Sequence, residues 1–473
     1  MKTPMPPPSM DSLMAEYGDD FPKLFAVLDK VGQEDDDEYL TWDKLRYKDP
    51  PGDLTADQWW LGVKFRRRAA LRKLPLDLTD GRPFTYALPD KVLRELDYVS
   101  QRASGQIALP EEVVNKTSRD RYVIQSLVEE AISSSQLEGA STTRRDAKRM
   151  IAYGETPKDR SQQMILNNYR AMRHIREIKD LPFTPERICE VHRIVTEETL
   201  DNADAAGRIQ SNPDPADRAK ILDEEDRLLH QPPPVDELPG RLQKLCDFAN
   251  ADQDARPYVP PVVRALTVHF MMGYDHYFED GNGRTARALF YWSMLRQGFW
   301  LTEHLAISLV LNQAPSQYAR SFIHTEQDDG DLTYFLIYHL DVIRRALVAL
   351  DEYLHRKSLE LQRARALLVG GPGAFNHRQV ALLQSATRDP SNYYTAESHM
   401  NYHGVSKQTA RNDLYDLEER GLLQRTKVQR QFAWSPRPDM LKTLERVQQT
   451  EWLSRRQGLV GETDVPSDLG DGG

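Results

Sequence analysis

One imidazole, two acidic side chains, a Gly-Asn-Gly turn and two guanidiniums fall within His276 to Arg287, HYFEDGNGRTAR. That combination suits chemistry on a phosphate ester. Gly281-Asn282-Gly283 stands directly before a helical run, so its backbone N–H groups can converge as an anion nest at a helix N-terminus. Arg284 and Arg287 are three apart, hence neighbours on one helical face, where both guanidiniums can grip further phosphate oxygens. This favours a polyphosphate over a monophosphate. Asp280 supplies a hard oxygen ligand for Mg²⁺ held partly by substrate phosphates. The unperturbed pKa of a histidine, ~6.5, lies near working pH, so His276 can accept a proton from an attacking hydroxyl. Together these groups suit transfer of a phosphorus-containing group to an alcohol or phenol, with positioning and charge neutralisation supplying most of the rate. Surface arginines beside an Asn-Gly turn would explain a lone GNG, but not all of these groups in register.

Two apolar helices must hold this loop. Val263, Leu266, Phe270 and Tyr274 mark one side of a buried helix before it, and Ala286 to Arg296 (ARALFYWSMLR) forms the helix after it. Phe278 is the loop's anchor in the core. Upstream, Val123, Leu127, Val128, Ala131 and Ile132 recur at helical spacing, and their run ends in Ser134-Ser-Ser-Gln-Leu-Glu138-Gly139. Gly139 is a C-cap signal. Glu138 then places a carboxylate where it opposes the helix dipole by a few tenths up to about 1 kcal/mol, which invites a functional reason. Helices are also expected over 162–178, with His192 as a packing residue in the helix over 185–200. Lys220 to Leu229 reads as a small β-hairpin flap around the acidic Asp223 to Asp226, closed by Pro232 to Pro234. Further helices follow over 235–250, 316–326 and 332–365.

At 473 residues the chain has room for roughly three domains. A net charge of −10 argues against wholesale coating of nucleic acid, although a local basic face remains compatible. Cys189 and Cys246 are the only cysteines, too few for a disulfide framework or a structural zinc cluster. No run approaches 18 uncharged apolar residues and MKTPMPPPSM lacks an apolar signal core, so a cytoplasmic protein without a membrane segment is expected. Residues 1–86 read as a partly disordered extension. They carry a mobile start with a short helix between Pro22 and Val31, a solvated acidic run at Glu34 to Glu38, and a basic helix face at Trp59 to Lys73 whose aromatics pack inward.

After a linker at Gly370 to Gly373, three short helices (378–385, 395–402, 406–420) precede two strands, at 421–423 and 428–434. GVSKQTARNDLYDLEERGLL has the cap, polar face and Gly-Leu-Leu exit of a winged helix-turn-helix over 374–436. Lys407, Gln408, Arg411 and Asn412 occupy the early third helix, where a recognition helix meets base edges. Residues 376–434 carry eight Lys/Arg against six Asp/Glu, a thin surplus for gripping phosphates. DNA binding therefore stands level with protein docking or dimerisation. The tail, 458–473, is expected to be disordered.

HYFEDGNGRTAR resembles the Fic family motif, H-P-F-x-(D/E)-G-N-G-R-x-x-R, at every position except the proline, which is Tyr277 here. Ser134 to Gly139 resembles the family's inhibitory-helix motif, (S/T)-x-x-x-E-(G/N), placed before the core. The resemblance implies a mainly α fold: an all-helical core over 87–368 with a β-hairpin flap and an inhibitory helix near 120–139, followed by the winged helix. It implies AMP transfer from ATP to a Ser, Thr or Tyr hydroxyl of a protein, this chain itself included. His276 would be the base, Asp280 the Mg²⁺ ligand, Gly281, Asn282 and Gly283 the nest, and Arg284 and Arg287 the binders of the outer phosphates. Glu138, with Ser134, would hold Arg287 away from ATP. Two other readings stay open, removal of AMP at the same site and a DNA-binding regulator whose core senses nucleotide. A homodimer is compatible with the sequence. Tyr277 is expected to loosen the loop, and Gly207-Arg-Ile-Gln210, where many members have Gly-x-x-Arg, leaves that arginine's role unassigned.

Overall fold

The computed structural model describes residues 3–450 apart from 19, 33–35, 37, 105–115, 213–220, 223–227, 253, 371–374, 389–391, 429–430 and 448. Helices dominate, with three antiparallel two-stranded pairs. Contacts divide the chain into two units, Met1–Ala108 with Arg121–Leu350, and Leu109–Asp120 with Asp351–Gly473.

The first unit is built around two helices that pack on each other, Pro261–Asp275 and Asn282–Arg296. We call them the leading and following helices. A proline in the first turn suits the leading helix, because its missing N–H would be unpaired there anyway. Both are apolar nearly all round, so both are buried: Val263, Phe270, Met272, Leu289 and Trp292 are fully covered. Helices Arg160–Ile178 and Pro185–Thr196 pack against the following helix, and Phe183 stacks on Trp292 at 3.9 Å. The following helix begins at Asn282, four residues before the sequence pattern suggests, because Gly281 serves as its N-cap.

A third helix, Lys116–Leu137, brings Glu138 to the motif; we call it the guard helix. Its Val128, Ala131 and Ile132 bury against Ala147, Met150 and Ile165. The hairpin expected over 220–229 appears as Ile221–Leu222 paired with Leu228–His230, and its acidic turn, Asp223 to Asp226, lies outside the described residues.

The start of the chain corrects the sequence reading. Residues 1–86 are not a loose extension: helices Met10–Ala15, Phe21–Lys30, Trp42–Leu45 and Ala56–Ala70 share a core of Leu13, Leu24, Val27, Val31, Leu45 and Trp60. A hairpin, Arg72–Asp77 with Pro83–Tyr86, follows. The basic face of Ala56–Ala70 is also only half exposed. Lys64 pairs with Asp328 at 2.7 Å, and Arg67 grips Asp36 from the supposedly solvated acidic run, with Tyr334 beside it. Charges taken out of water must be paired, which explains why these two turn inward with Trp59 and Trp60 while Arg66 and Arg68 stay exposed. The division between the units falls at Leu350, within the helix Thr333–Gly370.

The leading helix rests on a buried histidine that sets an acid limit. Burial lowers the pKa of His339 to about 3, and the ring stacks on Phe335 at 3.8 Å with His269, Tyr318 and Tyr338 around it. An unfolded histidine titrates near ~6.5, so between these values the unfolded chain binds a proton that the folded chain refuses. The neutral ring's contribution is complete above the unfolded value and is lost as pH falls toward the folded one, amounting to about 3 kcal/mol by pH ~4. Urea titrations of His339→Phe at neutral and acidic pH should show a smaller acid loss than the parent by about this amount.

In the second unit, helices His377–Arg388, Ala396–His403 and Lys407–Glu419 precede strands Leu423–Val428 and Gln431–Pro436. The strands were misplaced in the sequence reading: Gly421 and Leu422 precede the first strand, and Val428 closes it. Asp413, 5 % exposed, ties the unit together by accepting hydrogen bonds from Arg378, Asn376 and His399. The linker positions 371–373 and the tail 458–473 lie outside the described residues.

Candidate active site

The loop between the leading and following helices is fixed mainly by hydrogen bonds to its own backbone. His276 ends the leading helix at φ 50, a left-handed conformation uncommon outside glycine. Phe278 is fully buried and stacks on His192 at 3.7 Å. Asn282 folds back on Phe278, accepting from its N–H at 3.0 Å and donating to its carbonyl at 2.7 Å. The Asn282 side chain is therefore spent on the turn, and only its backbone N–H remains for an anion. Gly281 sits at φ 83, and a Cβ there would overlap Thr196 and crowd the His192 ring. Only glycine lets the backbone pass this close.

Tyr277 does not loosen the loop. It is fully buried and donates to Asp275 at 2.5 Å, while Arg241 binds the other Asp275 oxygen at 2.8 Å. Burial, then the adjacent Asp275 charge, push the phenol far above its usual range, so it stays a donor. A rigid proline is thus replaced by a side chain pinned through a buried ion pair.

His192 does more than pack. Its Nδ1 accepts from the Gly207 N–H at 2.9 Å, which leaves the proton on Nε2 to donate to the Asp280 carbonyl at 2.8 Å. Burial lowers its pKa to about 4, in keeping with that neutral form. The Asp280 carboxylate is half exposed. It accepts from the Gly281 N–H at 2.6 Å and faces Arg160 at 3.6 Å and Arg284 at 4.0 Å.

The two motif arginines are buried, at 1 % and 3 % exposure, and that decides what they can do. Arg284 donates to the Val195 carbonyl at 2.9 Å, and burial presses its pKa below the ordinary value. Arg287 donates through Nε to Ser134 Oγ at 2.8 Å, and through Nη2 to the Ser134 carbonyl at 2.9 Å and to Glu138 Oε1 at 2.8 Å. Burial alone would depress Arg287, but the facing Glu138 carries it above its usual range. Arg284 Nε and Arg287 Nη1 are buried with no hydrogen-bond partner among the described residues. Unpaired buried donors are costly, so each of these N–H groups favours an incoming anion as partner.

Glu138 stands in the cradle. A Cβ built on Gly283 would overlap the Glu138 carboxylate and lie 3.2 Å from Arg287 Nη1. The carboxylate thus rests on the glycine of the nest, as a phosphate oxygen would. The guard helix is anchored from within by Glu130, which is 1 % exposed and accepts from the Ser308 N–H at 2.9 Å and from its hydroxyl. Burial raises the Glu130 pKa. An acid between the apolar positions 127, 128, 131 and 132 was a visible signal for this anchor.

The site's residues lie in one unit of a mainly helical protein: a glycine cradle at a helix N-terminus, two buried arginines on that helix and a histidine that ends the helix before it. Residues 182–294 match the Fic/DOC family model, and residues 390–427 match that of a DeoR-like helix-turn-helix domain. The chain thus has a segment that matches the Fic/DOC family, whose members commonly transfer a nucleotide monophosphate to proteins, followed by a segment that matches a helix-turn-helix domain. Glu138 precedes the matched segment. Among solved structures, the chain is similar to a Fic family protein from Desulfovibrio desulfuricans G20, at 18 % identity over 74 % of this chain and 95 % of that one, with a TM-score of 0.45. It is similar to Fic-1 from C. elegans at 16 % identity over 67 % and 81 %, TM-score 0.43. A Fic domain containing signaling protein from Bacteroides thetaiotaomicron aligns at 20 % over 55 % and 97 %, TM-score 0.42. No curated protein matches the chain in sequence.

Four candidates belong to the second unit. Lys407, Gln408, Arg411 and Asn412 are all exposed on helix Lys407–Glu419, and Gln408 donates to Asn412 at 3.0 Å. No helix among the described residues is long and apolar enough to cross a membrane.

Proposed function

We propose that the protein transfers AMP from ATP to a hydroxyl of a protein side chain, and that Glu138 restrains this activity in the resting chain. The observation that carries the reading is the Glu138 carboxylate on Gly283, bonded to an arginine that still has an unpartnered buried N–H. His276 takes the proton of the attacking hydroxyl. The new bond joins that oxygen to the α-phosphorus, the bond from the α-phosphorus to its bridge oxygen breaks, and pyrophosphate leaves. Backbone N–H groups of the nest and the two arginines oppose the charge that accumulates on the phosphates.

A divalent ion fits the residues present. No group of three His, Cys, Asp or Glu able to hold a metal occurs among the described residues. Mg²⁺, however, is ordinarily held by one or two carboxylates with substrate phosphates and water, and the half-exposed Asp280 offers one such ligand. When bound, the ion would neutralise phosphate charge. The test of the reaction type is incubation with ATP labelled on the α- or the γ-phosphate. AMP transfer leaves only the α-label on protein, whereas retention of the γ-label would mean phosphoryl transfer.

A second proposal concerns the C-terminal unit. We infer that helix Lys407–Glu419 meets DNA, supported by the helix-turn-helix match and the four exposed polar residues on its first turns. The full chain should then shift a DNA duplex in a gel, less so as salt rises. Retardation lost in Lys407→Ala/Arg411→Ala supports this reading. No retardation at low salt, or a shift unaffected by that change, contradicts it.

A further inference from the structure

Gln210 stands at the last position of Gly207-Arg-Ile-Gln210, where the resembling family often has arginine, and it holds three consecutive carbonyls of the catalytic loop. Its backbone N–H donates to Tyr277 O at 2.9 Å. Its amide Nε2 donates to Phe278 O at 2.6 Å and lies 3.3 Å from His276 O. Phe278 O also receives the Asn282 amide at 2.7 Å, so both of its lone pairs are filled. One turn earlier, His230 Nε2 donates to Tyr274 O at 2.7 Å, with Nδ1 2.6 Å from Glu326. The backbone on both sides of His276 is thus pinned from outside its own helices.

The pinning matters because His276 sits at φ 50. A non-glycine residue in that region costs on the order of 1–3 kcal/mol and persists only where its surroundings over-determine it. Tyr277, through Asp275 and Arg241, fixes the loop by a side chain. Gln210 fixes it by the backbone, at the carbonyl of His276 itself.

We infer that Gln210 is the positioning residue that holds His276 against the phosphate cradle. Its catalytic consequence rests on the proposed AMP transfer; its mechanical consequence does not. All three partners are acceptors, so the contact needs a donor. A carboxylate of the same length would set negative charge against two carbonyls, whereas a guanidinium would keep the bonds.

The experiment uses the full chain carrying Glu138→Gly, with Gln210→Glu, Gln210→Met or Gln210→Arg added. Two quantities are read: hydrogen exchange of the amides between 274 and 283, and AMP incorporation as kcat and as KM for ATP. In the Glu and Met variants exchange should rise about 10-fold in this segment alone. Their kcat should fall about 10- to 100-fold with KM nearly unchanged, the scale of a misplacement near 1 Å. The Arg variant should resemble the parent in both. Unchanged exchange in the Glu and Met variants overturns the inference, as does a kcat equal to the parent's. Failure of the Glu138→Gly parent to incorporate AMP counts against the proposed function alone. The exchange data then decide: local loss of protection rescued by arginine supports the role of Gln210, and a loss spread evenly over the chain or not rescued refutes it.

Discussion

Glu138→Gly should raise AMP incorporation by roughly 10- to 100-fold over the unaltered chain. The variant removes the carboxylate that rests on Gly283 and the 2.8 Å bond it accepts from Arg287. A hydrogen bond to a charged group contributes about 1.5–3 kcal/mol, and each 1.4 kcal/mol is tenfold in an equilibrium. The side chain is 30 % exposed at this bond, which places the effect toward the lower end of that range. Arg287 keeps its two bonds to Ser134, so its guanidinium stays aimed at the cradle when Glu138 is gone. The helix should also tolerate the change, since Glu138 follows its last residue, Leu137, and opposes its dipole. Gain of activity and little loss of stability distinguish a released restraint from general loosening, and thermal melting beside the labelling assay checks both.

His276→Ala in the Glu138→Gly chain should cut incorporation by about 10²- to 10⁴-fold, the usual contribution of a positioned general base. The substitution leaves the nest intact, because the turn is held by Asn282 on Phe278 and by His192 on Asp280. ATP affinity should therefore change little. Calorimetric titration with ATP and Mg²⁺ separates the two quantities, and weak binding together with weak turnover would show that His276 serves the nucleotide site and not the proton transfer.

Where function depended on neighbours in sequence, it was legible. His276, Asp280, the glycines and the arginines lie within three turns of chain, and helix periodicity on either side gave the leading and following helices. Glu138 could be picked out because it violates a local electrostatic rule. What could not be read depends on partners far along the chain. Lys64 and Arg67 look like a solvated basic face until Asp328 and Asp36 are seen beside them. Tyr277 looks like a loosening of the motif until Arg241 and Asp275 close around it. Gln210 carries no charge and no periodic signal, and its three acceptors are 66 to 68 residues away. The hairpin Arg72–Asp77 with Pro83–Tyr86 was a different kind of miss, because the Asp80-Gly81 turn signal was present between two short apolar runs.

Incubation of the unaltered chain and of Glu138→Gly with α-labelled ATP and Mg²⁺ under identical conditions, read by label on protein and by intact mass, tests most directly whether Glu138 closes a nucleotide site. Label should appear on the variant at least about 10-fold above the unaltered chain, as whole additions of one AMP, and disappear when Arg287→Ala is added. Equal labelling of the two proteins, or a variant that has lost an activity the unaltered chain possesses, would contradict a restraint by Glu138, and the second outcome would assign the carboxylate to removal of AMP.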